Sequence, residues 1–541
     1  MTREDVSAPE TLVLADRIHT FAEPAEADAM LLRNGRVVAV GTAASLRRRA
    51  PDAAVLDLRG TTITPGLADS HIHLVDWALA RRAVDLADAP DADAAAERVA
   101  RRARSLPPGV WVHGGGWDAN RWGAFPDRRP LDRAAPDRPA VLRSHDMHAA
   151  WVNGRALDAA GIDAATPDPD GGRILRDDAG EPTGILLENA VRLVDRVVPP
   201  VSDAEIEDAV LDAQRELHRF GITAIHSFPS LHPAKLDPLR ILERLRATGR
   251  LRLRVLQHIP LEFLDDAIRL GLRSGFGGPW IRIGGVKMFL DGALGSRTAW
   301  LREPYLGTDD RGVQVLSTPE FRGAVRRAAE AGLAATVHAI GDAAVALALD
   351  VLGDAAHRVD AMPHRIEHVQ LCPPDRFDDL ARAGIVGSVQ PCHLITDWRA
   401  AERYWGAERC RGAYAFRSLR AAGRAVLAFG SDAPVEPVDP RLGLYAATTR
   451  QDLDGLPAGG WIPDERIDIL DAFLGYTRGP ALAAGADGLG RLAPGAAADF
   501  AAWDGDPLRA AGPALLSLHC VATVVAGELV QRDARDARLD P

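Results

Sequence analysis

Apolar positions follow two different periods, which alternate along the chain between residues 61 and 429. Short apolar runs typical of β-strands are separated by segments with helical spacing, such as residues 202–220 and 318–331. This alternation predicts an α/β fold with parallel strands joined by crossover helices. Eight such strands are enough for a closed (β/α)8 TIM barrel. We expect them at residues 61–74, 221–228, 251–259, 281–290, 334–340, 365–370, 385–390 and 425–429.

The two ends of the chain have a pattern of their own. Apolar runs at residues 11–16 and 29–41 are interrupted by an Asn34-Gly35 turn, which is typical of a β-hairpin. Residues 499–503 and 521–530 show a similar pattern. We therefore predict one composite β-sandwich made of residues 1–62 and 488–541, beside a barrel domain of residues 63–487.

The first two barrel strands are too far apart in sequence for a single crossover helix. The chain between them includes a stretch rich in Gly, Trp and Pro at residues 111–130. We expect a subdomain of mixed structure, inserted into the barrel domain at residues 76–201.

Composition narrows the possible partners. The net charge of −11 argues against binding to nucleic acid or to an anionic membrane surface. No apolar run reaches the roughly 18–20 residues of a membrane span, and the polar first five residues do not resemble a secretory signal. These features predict a soluble, cytoplasmic protein. The four cysteines are widely spaced, which argues against a disulfide framework or a thiolate metal site.

Histidines and one aspartate follow several of the predicted strands. His71 and His73 are two residues apart on the first strand, so both imidazoles can reach one metal ion. Alone, such a pair is more often two hydrogen-bonded structural histidines. However, His338 and His368 follow later strands, and the carboxyl ends of barrel strands converge on one face. Asp432, which in isolation would be a cap or turn residue, adds a carboxylate there.

Lys287 stands out because the chain has only two lysines among its 64 basic residues. It lies among apolar residues on the fourth predicted strand, where burial would lower the pKa of its amine. A neutral amine can add carbon dioxide to form a carbamate, an oxygen ligand able to bridge two metal ions. The alternatives are a lysine that extends to the barrel rim or one that pairs with Asp291.

Together these residues resemble the metal-binding signature of the amidohydrolase superfamily. The segments KMFLDGALGSRTA (287–299), VQPCH (389–393) and YTRGPA (476–481) are similar to the branch called amidohydrolase family 3, which includes N-substituted formamide deformylase. The resemblance extends over nearly the whole chain. It implies that the two termini form a urease-like β-sandwich beside the barrel, in agreement with the hairpin pattern.

The resemblance also implies a role for each of these residues. His71, His73 and Asp432 would hold one divalent metal, and His338 and His368 a second, with carbamylated Lys287 as the bridge. Lys287 and Asp432 would be the catalytic residues, and Asp432 would act as the general acid and base. Relatives use one metal or two, so we expect one or two ions per chain. Histidine and carboxylate-type ligands favour zinc.

Three further residues are candidates for contact with the substrate. His148 lies in the predicted insertion, and Arg297 and His393 fall on loops at the catalytic face. His148 could belong to a lid or pocket wall, or simply to a packed turn. Arg297 and His393 could bind a carboxylate or an amide oxygen, although a surface or packing role is at least as open for each.

The activity implied is hydrolysis of a non-peptide carbon–nitrogen bond in a small molecule by a metal-activated hydroxide. The substrate would be an N-substituted amide, a formamide or a cyclic amide. A deaminase or a cyclic-amidine hydrolase could use the same metal centre. A catalytically silent, regulatory barrel is a third possibility, against which the complete ligand set argues. A homodimer is the default expectation for a soluble enzyme.

Overall fold

A computed structural model describes residues 9–107, 109–144, 149–169, 172–188, 190–229, 237–355, 359–421 and 425–533. Its strands, in chain order, are β1 (Thr11–His19), β2 (Glu26–Arg33), β3 (Arg36–Gly41), β4 (Ala54–Pro65), β5 (Leu67–Ile72), β6 (Val84–Asp85), β7 (Val112–Trp117), β8 (Ala140–Ser144), β9 (Ala149–Val152), β10 (Gly172–Arg176), β11 (Pro182–Glu188), β12 (Ile222–Ser227), β13 (Arg254–Pro260), β14 (Ile281–Phe289), β15 (Ala335–Ala339), β16 (Arg365–His368), β17 (Val386–Val389), β18 (Leu427–Phe429), β19 (Phe500–Trp503), β20 (Cys520–Val525) and β21 (Glu528–Arg532).

The helices, again in chain order, are α1 (Ala43–Arg49), α2 (Leu74–Ala80), α3 (Ala92–Ser105), α4 (Ala119–Trp122), α5 (Arg129–Ala134), α6 (Gly154–Ala160), α7 (Val191–Asp195), α8 (Asp203–Arg219), α9 (Asp237–Ala247), α10 (Leu264–Arg269), α11 (Thr318–Glu330), α12 (Asp342–Ala355), α13 (Asp379–Ala383), α14 (His393–Trp405), α15 (Phe416–Ala421), α16 (Pro440–Thr449), α17 (Ile469–Gly475) and α18 (Arg478–Ala483). Among the described residues, none of the helices has both the length and the apolar character of a membrane span.

Eight parallel strands form the barrel predicted from the sequence. Their order in the sheet is β5-β12-β13-β14-β15-β16-β17-β18, so neighbours in the chain are neighbours in space. A parallel bridge between Ile72 and Ala433 brings the two outer strands together at their carboxyl ends. The fold class inferred from the alternating periods is therefore confirmed, and the crossover helices include α8 and α11, close to the bounds that the helical spacing indicated.

The first predicted strand, residues 61–74, proves to be two strands that belong to different sheets. The chain changes sheet at Gly66, between β4 and β5. A Cβ atom at Gly66 would lie 2.3 Å from Thr223 Oγ1 on the neighbouring β12, so a larger residue would not fit there. The backbone NH of Gly66 donates to Asp499 O at 2.9 Å, which fixes the transition beside the C-terminal strands.

Both termini contribute to one seven-stranded sheet, in the order β21-β20-β19-β4-β1-β2-β3. Its apolar core draws residues from the first and last parts of the chain, for example Val13, Met30, Phe500 and Val524. Both termini thus meet in one sheet, as the two terminal patterns predicted, and neighbouring strands are hydrogen-bonded throughout it.

Residues Val75–Val210 form a compact unit of their own. It contains a six-stranded sheet in the order β10-β11-β9-β8-β7-β6. Two separate apolar clusters lie within it, one around Trp117 and Trp151 and the other around Val152 and Leu186. This unit therefore has mixed α/β structure and apolar cores of its own.

Candidate metal centre

His71, His73 and Asp432 meet at the carboxyl end of the barrel. All three side chains are buried, and each offers a ligand atom within 4.8 Å of the other two. Asp432 Oδ1 lies 3.4 Å from Nε2 of His71 and 3.4 Å from Nε2 of His73. The arrangement suits a divalent metal, which imidazole nitrogens and a carboxylate oxygen commonly bind in proteins.

Hydrogen bonds at the far side of each imidazole fix its tautomer. His71 Nδ1 lies 2.7 Å from Glu367 Oε2, and His73 Nδ1 lies 2.6 Å from Pro229 O. Because a carboxylate and a carbonyl can only accept, the Nδ1 atoms carry the protons. Both Nε2 lone pairs are therefore directed towards Asp432, as in metal sites where a hydrogen bond orients each ligating histidine.

The loop after β18 is bound to the end of β5 by backbone hydrogen bonds. Asp432 N donates to His71 O at 2.7 Å, and His73 N donates to Ala433 O at 2.9 Å. The buried carboxylate of Asp69 links the same two segments, since it accepts from His71 N at 3.0 Å and from Ser431 Oγ at 2.6 Å. Burial raises the pKa of Asp69 to about 7. These contacts hold Asp432 opposite the histidine pair.

A second group of potential ligands consists of His368, His393 and again Asp432, all buried and mutually within 4.8 Å. His368 is 4% exposed, and its Nδ1 has no hydrogen-bond partner. The backbone at His368 has a φ of 73° and that at Asp432 a φ of 61°, a region that side chains other than glycine rarely adopt. Backbone strain of this kind persists where the surrounding structure enforces it, commonly at functional sites.

His338 lies next to this second group but is not a member of it. Its ring centroid is 4.5 Å from that of His368. Its Nε2 donates to Gly292 O at 3.0 Å and lies 3.6 Å from Asp291 Oδ1. The structure thus brings His338 to the same face of the barrel, as the sequence predicted. Its Nε2 is hydrogen-bonded to the segment that follows β14.

Lys287 is 3% exposed and projects into the barrel from β14. Its Nζ lies 4.5 Å from the ring centroid of Phe228 and 4.8 Å from that of Phe289. Burial lowers the pKa of Lys287 to about 8, although the charges of Glu367 and Asp432 oppose this shift. Asp291 is occupied elsewhere, because its carboxylate accepts from the backbone NH groups of Trp300, Ile340 and Gly341.

Burial determines the protonation of the site. It lowers the pKa of His71 to about 4 and that of His338 to about 3, and it holds the pKa of His368 well below the ordinary value. Burial alone would raise the pKa of Asp432, but the neighbouring imidazoles, His71 first, hold it well below its usual range. Neutral imidazoles beside an ionised carboxylate are the forms that bind metal ions.

Sequence reasoning missed Glu367 and Phe228. Glu367 is fully buried, binds His71 and is paired with Arg365, whose Nε lies 2.5 Å from Glu367 Oε1. Phe228 stacks on His71 with ring centroids 3.8 Å apart. In a regular strand, Glu367 and His368 would point to opposite faces of the sheet. A sequence analysis that places His368 in the metal site therefore excludes Glu367 from it. The left-handed backbone at His368 breaks that alternation.

Two of the three residues predicted to contact substrate lie within the described residues, and their surroundings differ. His393 begins α14 and lies beside Asp432, with its Nε2 4.0 Å from Asp432 Oδ2. Arg297 is exposed on the loop after β14, and its guanidinium lies 5.7 Å from the ring centroid of Tyr404. His148 lies outside the described residues.

A barrel of this type, with buried histidines and an aspartate at the carboxyl ends of its strands, defines a metal-dependent hydrolase fold. The chain belongs to the amidohydrolase family, whose sequence model matches residues 54–531. Residues 29–53 match the imidazolonepropionase-like composite domain of bacteria. The family resemblance inferred from the motifs is confirmed, and hydrolase activity is the class of function that it supports.

The similar proteins cover almost the entire chain. The Bacillus subtilis (strain 168) protein YtcJ, which carries an amidohydrolase name, is 33% identical over 524 residues, 95% of this chain and 98% of its own. N-substituted formamide deformylase of Arthrobacter pascens is 31% identical over 523 residues, 93% of this chain and 94% of its own. The crystal structure of an uncharacterized metal-dependent hydrolase from Pyrococcus furiosus superposes with a TM-score of 0.78 at 29% identity, covering 92% of this chain and 100% of that protein.

Proposed function

We propose that this protein is a metal-dependent amidohydrolase that cleaves a non-peptide carbon–nitrogen bond of a small N-substituted amide, formamide or cyclic amide. The observation that carries the proposal is the buried group of His71, His73 and Asp432 at the carboxyl end of the barrel. The similarity to N-substituted formamide deformylase supports this choice of bond.

The donor set fits a divalent metal, and we propose zinc. His71 and His73 would bind it through Nε2, because their Nδ1 atoms are held by Glu367 and Pro229. The metal would supply an activated water and polarise the bond to be cleaved. Asp432 would receive the water proton on a carboxylate oxygen and pass it to the leaving nitrogen.

We also propose that Lys287 is carbamylated when the centre is assembled. The neutral amine adds carbon dioxide, one nitrogen–carbon bond forms and one proton is released to solvent. Burial among the rings of Phe228 and Phe289 favours the neutral amine over the ammonium ion. The resulting carbamate would offer oxygen ligands to metal ions beside the neutral imidazoles.

Metal content per chain, measured by elemental analysis on protein purified without chelator, tests this proposal. We expect one or two metal ions in the wild type and fewer in Lys287→Ala. Addition of bicarbonate should preserve the metal content of the wild type and leave that of the variant unchanged. Near-zero metal in both proteins, after incubation with zinc and bicarbonate, would refute the proposal and favour a silent barrel.

The substrate class needs a separate measurement. N-substituted formamides, other N-substituted amides and cyclic amides should be incubated with the zinc-loaded enzyme, with product amine and carboxylate quantified. We expect turnover of at least one of these classes. Ammonia released from an amino-substituted ring, with no turnover of any amide, would indicate a deaminase that uses the same centre.

A further inference from the structure

We propose that Phe289 is a specificity-determining residue, whose ring packs against an apolar group of the substrate beside the metal centre. The proposal rests on the metal-dependent function proposed above and narrows its range of substrates. The amide would carry an alkyl or aryl group close to the bond that is cleaved.

Phe289 is the last residue of β14, two residues beyond Lys287. Side chains two residues apart on a strand project to the same side of the sheet, so Phe289 shares with Lys287 the side that faces the mouth of the barrel. The Phe289 ring centroid lies 4.8 Å from Lys287 Nζ and 5.1 Å from the ring centroid of His338. The ring therefore contacts two side chains of the candidate site.

The ring of Phe289 is nevertheless partly open to solvent. Phe289 is 40% exposed, whereas Phe228, the other ring beside Lys287 Nζ, is 2% exposed. Apolar surface that remains in contact with water favours binding of a ligand that covers it, because that surface then leaves water. A ligand that covers Phe289 would lie next to Lys287 and His338, which is where a substrate of the metal centre would lie.

Two valines add to the apolar surface at the barrel mouth. Val315 is 53% exposed, and its backbone NH donates to Leu290 O at 2.8 Å, which places it beside the end of β14. Val435 is 58% exposed, and its backbone NH donates to Asp432 O at 2.9 Å. Because β14 and β18 are the fourth and eighth strands of the barrel, the two valines flank its mouth from opposite sides. Single exposed apolar residues are ordinary, but apolar walls around a few polar groups are typical of a ligand site.

Alkyl hydroxamates test this wall without knowledge of the substrate. The hydroxamate group chelates zinc through its two oxygen atoms, and the length of the alkyl chain is the only variable. Calorimetric titration of the zinc-loaded protein gives the Kd of acetohydroxamate, butanohydroxamate and hexanohydroxamate. In the wild type we expect the Kd to fall about 2- to 4-fold for each added methylene, as a buried CH2 group leaves water. In Phe289→Ala the ratio between the shortest and the longest chain should be about 10-fold smaller.

Phe276→Ala is the matched control for Phe289→Ala. Phe276 is 63% exposed and lies at the amino end of β14, where its carbonyl oxygen accepts from Ile283 N at 2.8 Å. This variant should keep the wild-type dependence on chain length. Phe289→Leu, which retains an apolar side chain, should keep most of it. Thermal unfolding and elemental analysis of each variant establish that it is folded and holds the wild-type metal content.

An unchanged dependence on chain length in Phe289→Ala would overturn the inference, and so would a zinc-loaded wild type that binds all three hydroxamates equally or binds none. An equal loss of affinity for all three in Phe289→Ala would also contradict it, because Phe289 would then act only through Lys287 or His338. Each of these results leaves the metal centre and the proposed function standing. A wild type that binds no zinc would instead refute the proposed function.

A crystal of the zinc-loaded wild type with hexanohydroxamate gives an answer that does not depend on the folding of any variant. An alkyl chain in contact with the ring of Phe289 supports the inference. A chain directed away from that ring contradicts it.

Discussion

At the scale of single residues, orientation of the imidazoles matters as much as their presence. Glu367 holds His71 Nδ1 at 2.7 Å, and Arg365 in turn holds Glu367. A carboxylate in this position fixes the tautomer and ring angle of a metal ligand and raises its basicity. The motif residues alone therefore do not define the site, because the buried ion pair of Glu367 and Arg365 fixes the orientation of His71.

We predict that Glu367→Gln weakens metal binding by about 10- to 100-fold, as loss of a carboxylate behind a ligating histidine does elsewhere. It should also lower the free energy of unfolding by about 3 kcal/mol, because Arg365 is left buried without its counter-charge. Competition between the protein and a chromophoric zinc chelator measures the affinity, and urea denaturation measures stability.

Asp499→Asn is the matched control for Glu367→Gln. It breaks another largely buried carboxylate–arginine pair, in which Asp499 lies 2.5 Å from Nε of Arg254 at the amino end of β13. We expect a comparable loss of stability and unchanged zinc affinity. Equal zinc affinity in Glu367→Gln and the wild type would show that Glu367 does not orient His71.

At the scale of secondary structure elements, most of the barrel could be predicted from periodicity. The seven later strands fall within the predicted ranges or extend one residue beyond them, because buried parallel strands leave short apolar runs between helical segments. The error at residues 61–74 has a steric cause. One apolar run passes from one sheet to the next at Gly66, where the backbone comes close to Thr223. This contact between distant residues is not visible in the sequence.

The candidate site was predictable where a residue type carries its own chemistry. The histidines and Asp432 could be located because the carboxyl ends of barrel strands converge. Glu367 and Asp69 could not, since an acidic residue on a strand has no signal that distinguishes a buried partner from a solvated one. The left-handed backbone at His368, the last residue of β16, also breaks the alternation on which such predictions depend.

Helix α18 illustrates a close approach that only glycine permits. A Cβ atom at Gly479, in the YTRGPA segment, would lie 2.0 Å from the backbone oxygen of Leu427 on β18. We predict that Gly479→Ala lowers the free energy of unfolding by about 3 kcal/mol, since a backbone obstacle cannot move aside as a side chain does. Chemical denaturation at neutral pH measures this change.

Gly323→Ala provides the comparison within another helix, α11. A Cβ atom at this position meets nothing within 4 Å, so the substitution should stabilise the protein by about 0.5–1 kcal/mol through helix propensity. If Gly479→Ala proved as benign as Gly323→Ala, the close contact between α18 and β18 would not exist as described.

At the scale of the whole molecule, buried neutral histidines make stability depend on pH. Desolvation lowers the pKa of His218 to about 4, and it holds those of His226 and His258 well below the ordinary value. In the unfolded chain these groups titrate near pH 6.5. As the pH falls from about 6.5 to about 4, the unfolded state therefore binds protons that the folded state does not, and the free energy of unfolding decreases.

His218 offers the cleanest test of this coupling, because it lies on α8 away from the candidate metal ligands. Its Nε2 donates to Arg252 O at 2.9 Å, a hydrogen bond that the amide of glutamine can replace. One such histidine contributes about 1.4 kcal/mol per pH unit in this range. The buried carboxyls of Asp69 and Asp291, with pKa values raised to about 7, act in the opposite direction, but they are common to wild type and variant.

We therefore predict that the loss of unfolding free energy between pH 7 and pH 4.5 is smaller in His218→Gln than in the wild type by about 2–3 kcal/mol. Urea denaturation at both pH values, with chelator present so that metal binding does not contribute, measures the difference. An identical loss in the two proteins would mean that His218 is protonated in the folded state at pH 4.5, and that the contact between α8 and Arg252 admits water. A smaller loss in the variant would show that the helix keeps an uncharged imidazole buried, and that acid unfolds the barrel partly by protonating such residues once they are exposed.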